Sequence, residues 1–98
     1  MPITVVSRWT GKKEDVLRNA GRAKPIVLRL GAEDYQVAQI TTGREAGQWI
    51  IVVRYRDWPS YAQTAQAMAR DEEYQRMLAE GLLTTVLQER NMYVGCDV

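Results

Sequence analysis

The chain has 98 residues, 46% of them hydrophobic and 26% charged, which is typical of a globular protein with a single domain over residues 1–98. Thirteen Lys and Arg balance twelve Asp and Glu, and this net charge of +1 gives no electrostatic reason to expect nucleic acid or an anionic membrane as a partner. Histidine is absent and Cys96 is the single cysteine, which excludes a histidine-based catalytic triad, a histidine-ligated metal and an internal disulfide.

The first half of the chain is predicted to form a strand, a helix and a second strand. Alternating side chains predict the first strand over residues 3–10. From Lys12 onward apolar side chains recur at three- and four-residue steps, which predicts a helix that closes at Gly31. Pro25 either kinks this helix or begins a second short one. Residues 35–42, rich in β-branched and aromatic side chains, predict the second strand.

The third predicted strand, over residues 49–56, is apolar on both faces. A glycine-bounded loop precedes it, so the second and third strands are expected to form an antiparallel hairpin. One face carries Trp49, Ile51, Val53 and Tyr55, and the other carries Ile50, Val52, Arg54 and Arg56. A strand with one face in water alternates apolar and polar residues, so both faces of this strand are expected to be covered.

The second half of the chain completes the predicted fold. Asp57 followed by Pro59 predicts the start of a second helix, and Asp71 opens a further helical segment that ends at Gly81. The last strand is predicted over residues 83–93. The order strand, helix, strand, strand, helix, strand is the ferredoxin-like βαββαβ arrangement of the α+β class. It gives a four-stranded antiparallel sheet with its helices on one face.

The opposite face of that sheet has no helix to cover it. Either side of the third strand would add apolar residues to that face, and leaving three or four such side chains of the sheet in water forgoes roughly 1.5–3 kcal/mol each. A second copy placed face to face across a two-fold axis is the simplest cover. We therefore predict a homodimer through the sheet faces, with the two sheets enclosing one barrel-like core.

This pattern resembles the dimeric α+β barrel superfamily, the group of antibiotic-biosynthesis-monooxygenase-like proteins. The resemblance lies in the element order and in three segments: Leu30-Gly31-Ala32, Tyr55-Arg56-Asp57-Trp58 and Asp71-Glu72-Glu73-Tyr74. None of these segments is a catalytic signature. The resemblance implies a ligand cavity between sheet and helices, and activities that range from cofactor-free monooxygenation to haem degradation.

The residues that haem-degrading members of the superfamily use are absent from this chain. Those members carry an axial histidine on the second helix, where this chain offers alanine and glutamine. Their asparagine on the first strand has no counterpart either, because Ser7 and Trp9 occupy that region. Haem oxygenation is therefore disfavoured, and we predict neither a cofactor nor a metal.

The candidates for a ligand pocket between sheet and helices are Trp9, Arg54, Tyr55, Trp58 and Tyr61. The aromatic rings would present faces to a planar apolar ligand, and a buried Arg54 would hold a carboxylate or an enolate. In the alternative interpretation the rings only fill a core that contains no phenylalanine, with Trp58 as a wedge between the sheet and the second helix. Arg54 would then pair with a carboxylate such as Glu89, or be hydrated. No catalytic residue is evident.

Two functions fit these features. The first is binding of a small apolar or aromatic ligand with cofactor-free monooxygenase-like activity. The alternative is a non-catalytic dimeric structural or ligand-sensing module, whose helix–sheet interface would be packed solid if it only supports assembly. RNA binding through the sheet is disfavoured, since the chain lacks the basic and aromatic pattern that such domains carry. No apolar run approaches the roughly 20 residues of a membrane helix and no signal peptide is visible, so a cytoplasmic location is expected.

Overall fold

A computed structural model describes residues 1–98 and contains four strands and three helices. In chain order they are β1 (Ile3–Gly11), α1 (Lys13–Leu30), β2 (Asp34–Gln39), β3 (Trp49–Tyr55), α2 (Trp58–Arg70), α3 (Glu72–Gly81) and β4 (Thr85–Val94). No helix combines the length and the apolar character that crossing a bilayer requires. The two helical segments predicted after the third strand are separate helices, α2 and α3, which meet at Asp71.

The four strands form one antiparallel sheet in the order β2-β3-β1-β4. The central strand β1 pairs with β3 on one side and with β4 on the other, and β2 forms the predicted hairpin with β3. This order confirms the ferredoxin-like arrangement expected from the sequence. The second strand is shorter than predicted, because the backbone at Ile40 and Gln48 closes the loop with a 2.8 Å hydrogen bond after pairing of the strands has ended at Gln39.

Local sequence signals determine where the helices begin and end. The helix α1 continues through Pro25 as a single helix. Gly31 closes it with a φ of 133°, a backbone conformation that residues with a side chain rarely adopt. Asp57 accepts a 2.9 Å hydrogen bond from the Ser60 amide at the start of α2. Asp71 accepts one of 2.9 Å from the Tyr74 amide at the start of α3. Both carboxylates satisfy amides that have no partner inside their helices.

The face of the sheet that lies beneath the helices carries the odd-numbered side chains of β1 and β3. Paired residues such as Val5 and Val53 share this face, and both are buried there. The core cluster consists of Ile3, Val5, Ala20, Ala23, Ile26, Val27, Ala32, Tyr35, Val53, Tyr55 and Met77. The opposite, outer face therefore carries Val6, Ile50 and Val52 at its centre, all of them half-buried.

The strand β4 contains a bulge, and its register changes there. Trp9 pairs with Leu87 but the preceding Arg8 pairs with Glu89, so Gln88 is an extra residue without a partner on β1. Because of the bulge, Arg90 lies opposite Ser7 on the same face as Leu87. The strand also begins two residues later than predicted, after a turn in which Leu83 is exposed.

Candidate functional site

A cavity of about 260 Å³ lies between the sheet and the helices. Its floor comes from β1, β3 and β4, its roof from α1 and α3, and most of its walls are apolar. The lining residues are Val5, Ser7, Trp9, Val16, Asn19, Ala20, Ala23, Val27, Tyr35, Ile51, Val53, Tyr55, Met68, Tyr74, Met77, Leu78, Gly81, Leu82, Thr85, Leu87 and Arg90. An engineered apolar cavity of about 150 Å³ in another protein binds benzene, so this volume is enough for a small organic molecule.

Two of the predicted pocket residues, Trp9 and Tyr55, line this cavity. The indole N–H of Trp9 donates a 2.8 Å hydrogen bond to the Ser7 hydroxyl, which fixes the ring without a partner from the helices. Tyr55 is 2% exposed and lies in the core at the cavity wall. Both residues are on the helix-covered face because β1 and β3 present their odd-numbered positions there.

The other three predicted residues, Arg54, Trp58 and Tyr61, lie outside the cavity lining. Arg54 is exposed on the outer face, because the neighbouring Tyr55 points to the helices. Tyr61 packs against Tyr55 in an edge-to-face arrangement, with ring centroids 5.2 Å apart. It supports the cavity wall and does not form part of it.

Trp58 was expected to be a wedge between the sheet and the second helix, and that expectation is wrong. Its side chain is 51% exposed and contacts the edge of Tyr61 at a centroid distance of 6.1 Å. As the first residue of α2 it directly follows the capping Asp57, and this position turns it toward solvent while Tyr61, one turn later, packs inward. The expected partner of Arg54 is also different, since Glu89 pairs with Arg8 at 3.3 Å.

Three tyrosines are among the residues that line the cavity. These are Tyr35, Tyr55 and Tyr74, and each of their hydroxyls either has a hydrogen-bond partner or is accessible to solvent. Burial raises the pKa of Tyr55 to about 12, and it also raises the pKa values of Tyr35 and Tyr74. All three are therefore neutral phenols at physiological pH, able to donate hydrogen bonds but not to act as bases.

Arg90 is the only ionised side chain among the lining residues. Its positive charge opposes the effect of burial on the pKa values of Tyr55 and Tyr74, two other residues of the lining. It forms none of the ion pairs within the chain. Arg90 is exposed, as are Leu82 and Leu87, so the cavity opens to solvent beside β4.

Sequence reasoning did not find Arg90. Strict alternation from the inward-facing Thr85 and Leu87 puts Glu89 inward and Arg90 outward, and only the bulge at Gln88 reverses this. The sequence does contain the signal for Tyr74, which lies on the apolar side of α3. No three His, Cys, Asp or Glu side chains come together as a metal site.

No family model matches the chain, and no curated protein matches it in sequence. Solved structures do match it in fold. The cofactor-independent oxygenase SnoaB from Streptomyces nogalater aligns over 99% of this chain and 95% of its own, with a TM-score of 0.75 and 10% identity. A protein from Mycobacterium tuberculosis aligns over 100% and 98%, with a TM-score of 0.69 and 14% identity. A putative antibiotic biosynthesis monooxygenase from Chloroflexus aurantiacus aligns over 100% and 96%, with a TM-score of 0.58 and 12% identity.

These alignments extend over nearly the full length of both partners, so the similarity concerns the whole architecture. The chain has the ferredoxin-like α+β fold that its element order predicts, and these solved structures are similar to it in fold. Identities of 10–14% establish this fold and not an activity.

Proposed function

We propose that the protein binds a small, largely apolar or aromatic compound in the cavity between sheet and helices, and acts on it with cofactor-free monooxygenase-like chemistry. The observation that carries this proposal is the cavity itself, with Trp9 and Tyr55 in its walls. A protein in which these residues only filled a core would have closed the space, since interiors pack to near-crystalline density.

The side chains around the cavity restrict the chemistry that it supports. The lining includes no carboxylate and the chain has no histidine, so no side chain there is a general base near neutral pH. A substrate would have to ionise readily by itself, and its anion would give electrons directly to dioxygen. In such a reaction a CH₂ group becomes a carbonyl and the second oxygen atom leaves as water. The phenols of Tyr35, Tyr55 and Tyr74 would donate hydrogen bonds to the developing oxyanion.

Ligand binding is testable through the fluorescence of Trp9. The exposed Trp58 adds background, so the titration uses the Trp58→Phe variant with a panel of mono-, bi- and tricyclic aromatic compounds. We expect at least one compound to quench the remaining emission with micromolar affinity. A further Trp9→Phe substitution removes most of that quenching. A flat titration across the panel would contradict the proposal.

Oxygen uptake separates the oxygenase from the second candidate, a ligand-sensing module without catalysis. The absence of a base near the cavity favours this second function. We expect at least one bound compound with an acidic CH₂ group to consume dioxygen in a closed electrode cell. Binding without uptake for every such ligand would leave the sensing function and reject the oxygenase.

We also propose that the protein is a homodimer through the outer face of its sheet. Val6, Ile50 and Val52 form an apolar centre there, and Val86 and Tyr93 of β4 are 56% and 54% exposed on the same face. Sedimentation velocity at micromolar concentration should report twice the 11.2 kDa mass of one chain. Val52→Lys should shift it to the monomer, and a wild-type monomer would refute the dimer.

A further inference from the structure

The cavity combines apolar walls with one positive charge and no negative one. Arg90 is the single ionised residue of the lining, at the mouth beside Leu87. Arg90 is exposed at this mouth, so its guanidinium stays hydrated and accessible to a ligand that enters the cavity. Arg90 has no carboxylate partner within the chain, and among the arginines without an ion pair it alone lines the cavity.

The hydroxyl groups of three tyrosines in the lining can also donate hydrogen bonds to an anion. Tyr35, Tyr55 and Tyr74 line the same cavity as Arg90, and the charge of Arg90 opposes the rise in the pKa values of Tyr55 and Tyr74. As neutral phenols they can donate a hydrogen bond each, while an arginine only donates. The lining thus offers a guanidinium and phenol O–H groups, and it offers no carboxylate as an acceptor.

We infer that the ligand is an organic monoanion: an apolar, ring-sized body carrying one carboxylate, phenolate or similar oxyanion that Arg90 binds. This inference rests on the proposed function of the cavity and adds the charge of its ligand. The body occupies the apolar end between α1 and β3, and the oxyanion lies at the mouth beside β4. A charge-assisted hydrogen bond from a guanidinium is about twice as strong as a neutral one, and bidentate contact also fixes the orientation of the anion.

Two fluorescent probes with the same aromatic body test the charge preference. The anionic probe is 8-anilinonaphthalene-1-sulfonate and the neutral one is N-phenyl-1-naphthylamine, and both brighten in apolar sites. We expect wild-type protein to bind the anionic probe about tenfold more tightly than the neutral one, because the anion gains one charge-assisted hydrogen bond. Arg90→Met should remove this preference while leaving affinity for the neutral probe within about twofold. Arg90→Lys should keep part of it.

Arg76→Met is the matched control, since Arg76 is exposed on α3 and does not line the cavity. This variant should leave both affinities unchanged, and a loss there would show that the anion binds the general surface, which would overturn the inference. Thermal unfolding midpoints of all variants establish that they are folded.

The possible outcomes distinguish the two proposals. If neither probe binds, the cavity is not a ligand site and the proposed function fails. If the neutral probe binds and the anion binds no better, the cavity is a ligand site but the monoanion inference is wrong. If Arg90→Met lost affinity for both probes equally, the monoanion inference would also be wrong, because Arg90 would then act through packing alone.

Discussion

The helix-covered face of the sheet is closed over the central strands β1 and β3 and open over most of the edge strand β4. Ile3 on β1 and Tyr55 on β3 are 0% and 2% exposed. On the same face of β4, Leu87, Met92 and Val94 are 41–45% exposed. No helix packs extensively against β4, whereas α1 packs against β1 and β2, and α2 against β3.

The difference between these two regions shows that an apolar pattern becomes a core only where another element covers it. The inward-facing apolar side chains of β1 lie beneath the helices, whereas most of those on β4 stay exposed beside the mouth of the cavity. Because the mouth is formed by an edge strand, a charged side chain such as Arg90 can be placed there at little desolvation cost. The packed region supports the fold, and the open region is available for binding.

The largest test of this comparison uses two directly paired residues on the same face. Ile3 and Val94 are register partners, but the first is fully buried and the second is 45% exposed. We expect Ile3→Ala to lower the free energy of unfolding by about 2–5 kcal/mol, as buried large-to-small changes do. Val94→Ala should cost below about 1 kcal/mol. Urea denaturation measures both values, and similar losses would mean that β4 is covered after all.

A second test inserts the same side chain into each region. Ala20 lines the cavity while Ala32 lies in the core away from it, and both are buried. Ala32→Leu overpacks the core and should cost about 1–3 kcal/mol. Ala20→Leu extends into empty space, so stability should stay within about 0.5 kcal/mol of wild type while affinity for N-phenyl-1-naphthylamine falls at least about tenfold. Equal destabilisation by the two changes would show that the cavity does not accept a side chain.

The sequence was sufficient to predict the closed region. The order of elements, the caps at Asp57 and Asp71 and the glycine at residue 31 are local signals that the structure confirms. Tyr55 was a pocket candidate because aromatic rings can present their faces to a planar ligand, and it lines the cavity. In each of these cases a single segment carried the whole signal.

The open region depended on relations between segments, which the sequence does not show. The bulge at Gln88 belongs to the pairing of β4 with β1, and it alone brings Arg90 inward. Trp58 was misplaced for a related reason: its type suggests burial, but its position at the first turn of α2 determines that it faces solvent. The outward position of Arg54 follows from the alternation of side chains along β3 once the helix-facing side of that strand is known. The sequence alone did not determine which side that is.

The smallest expected effect concerns the bulge itself. Deleting Gln88 leaves Leu87 opposite Trp9 and lets Glu89 and Arg90 keep their present partners on β1. The deletion removes only an exposed 3.0 Å hydrogen bond from Gln88 to Thr10 and the local twist. We expect a stability change within about 1 kcal/mol. Affinity for 8-anilinonaphthalene-1-sulfonate should stay within about threefold, as titration of the purified variant would measure.

Deleting Asn91 instead provides the contrasting variant. It makes Arg90 and Met92 adjacent in the chain, and because neighbouring strand residues point to opposite faces, the two can no longer both face the helices. This variant should lose either the preference for the anionic probe or the inward position of Met92, and so differ from the Gln88 deletion. If both deletions behaved alike, Arg90 would reach the cavity mouth by side-chain flexibility and not through the register of β4. The open region would then be specified by composition and not by strand pairing.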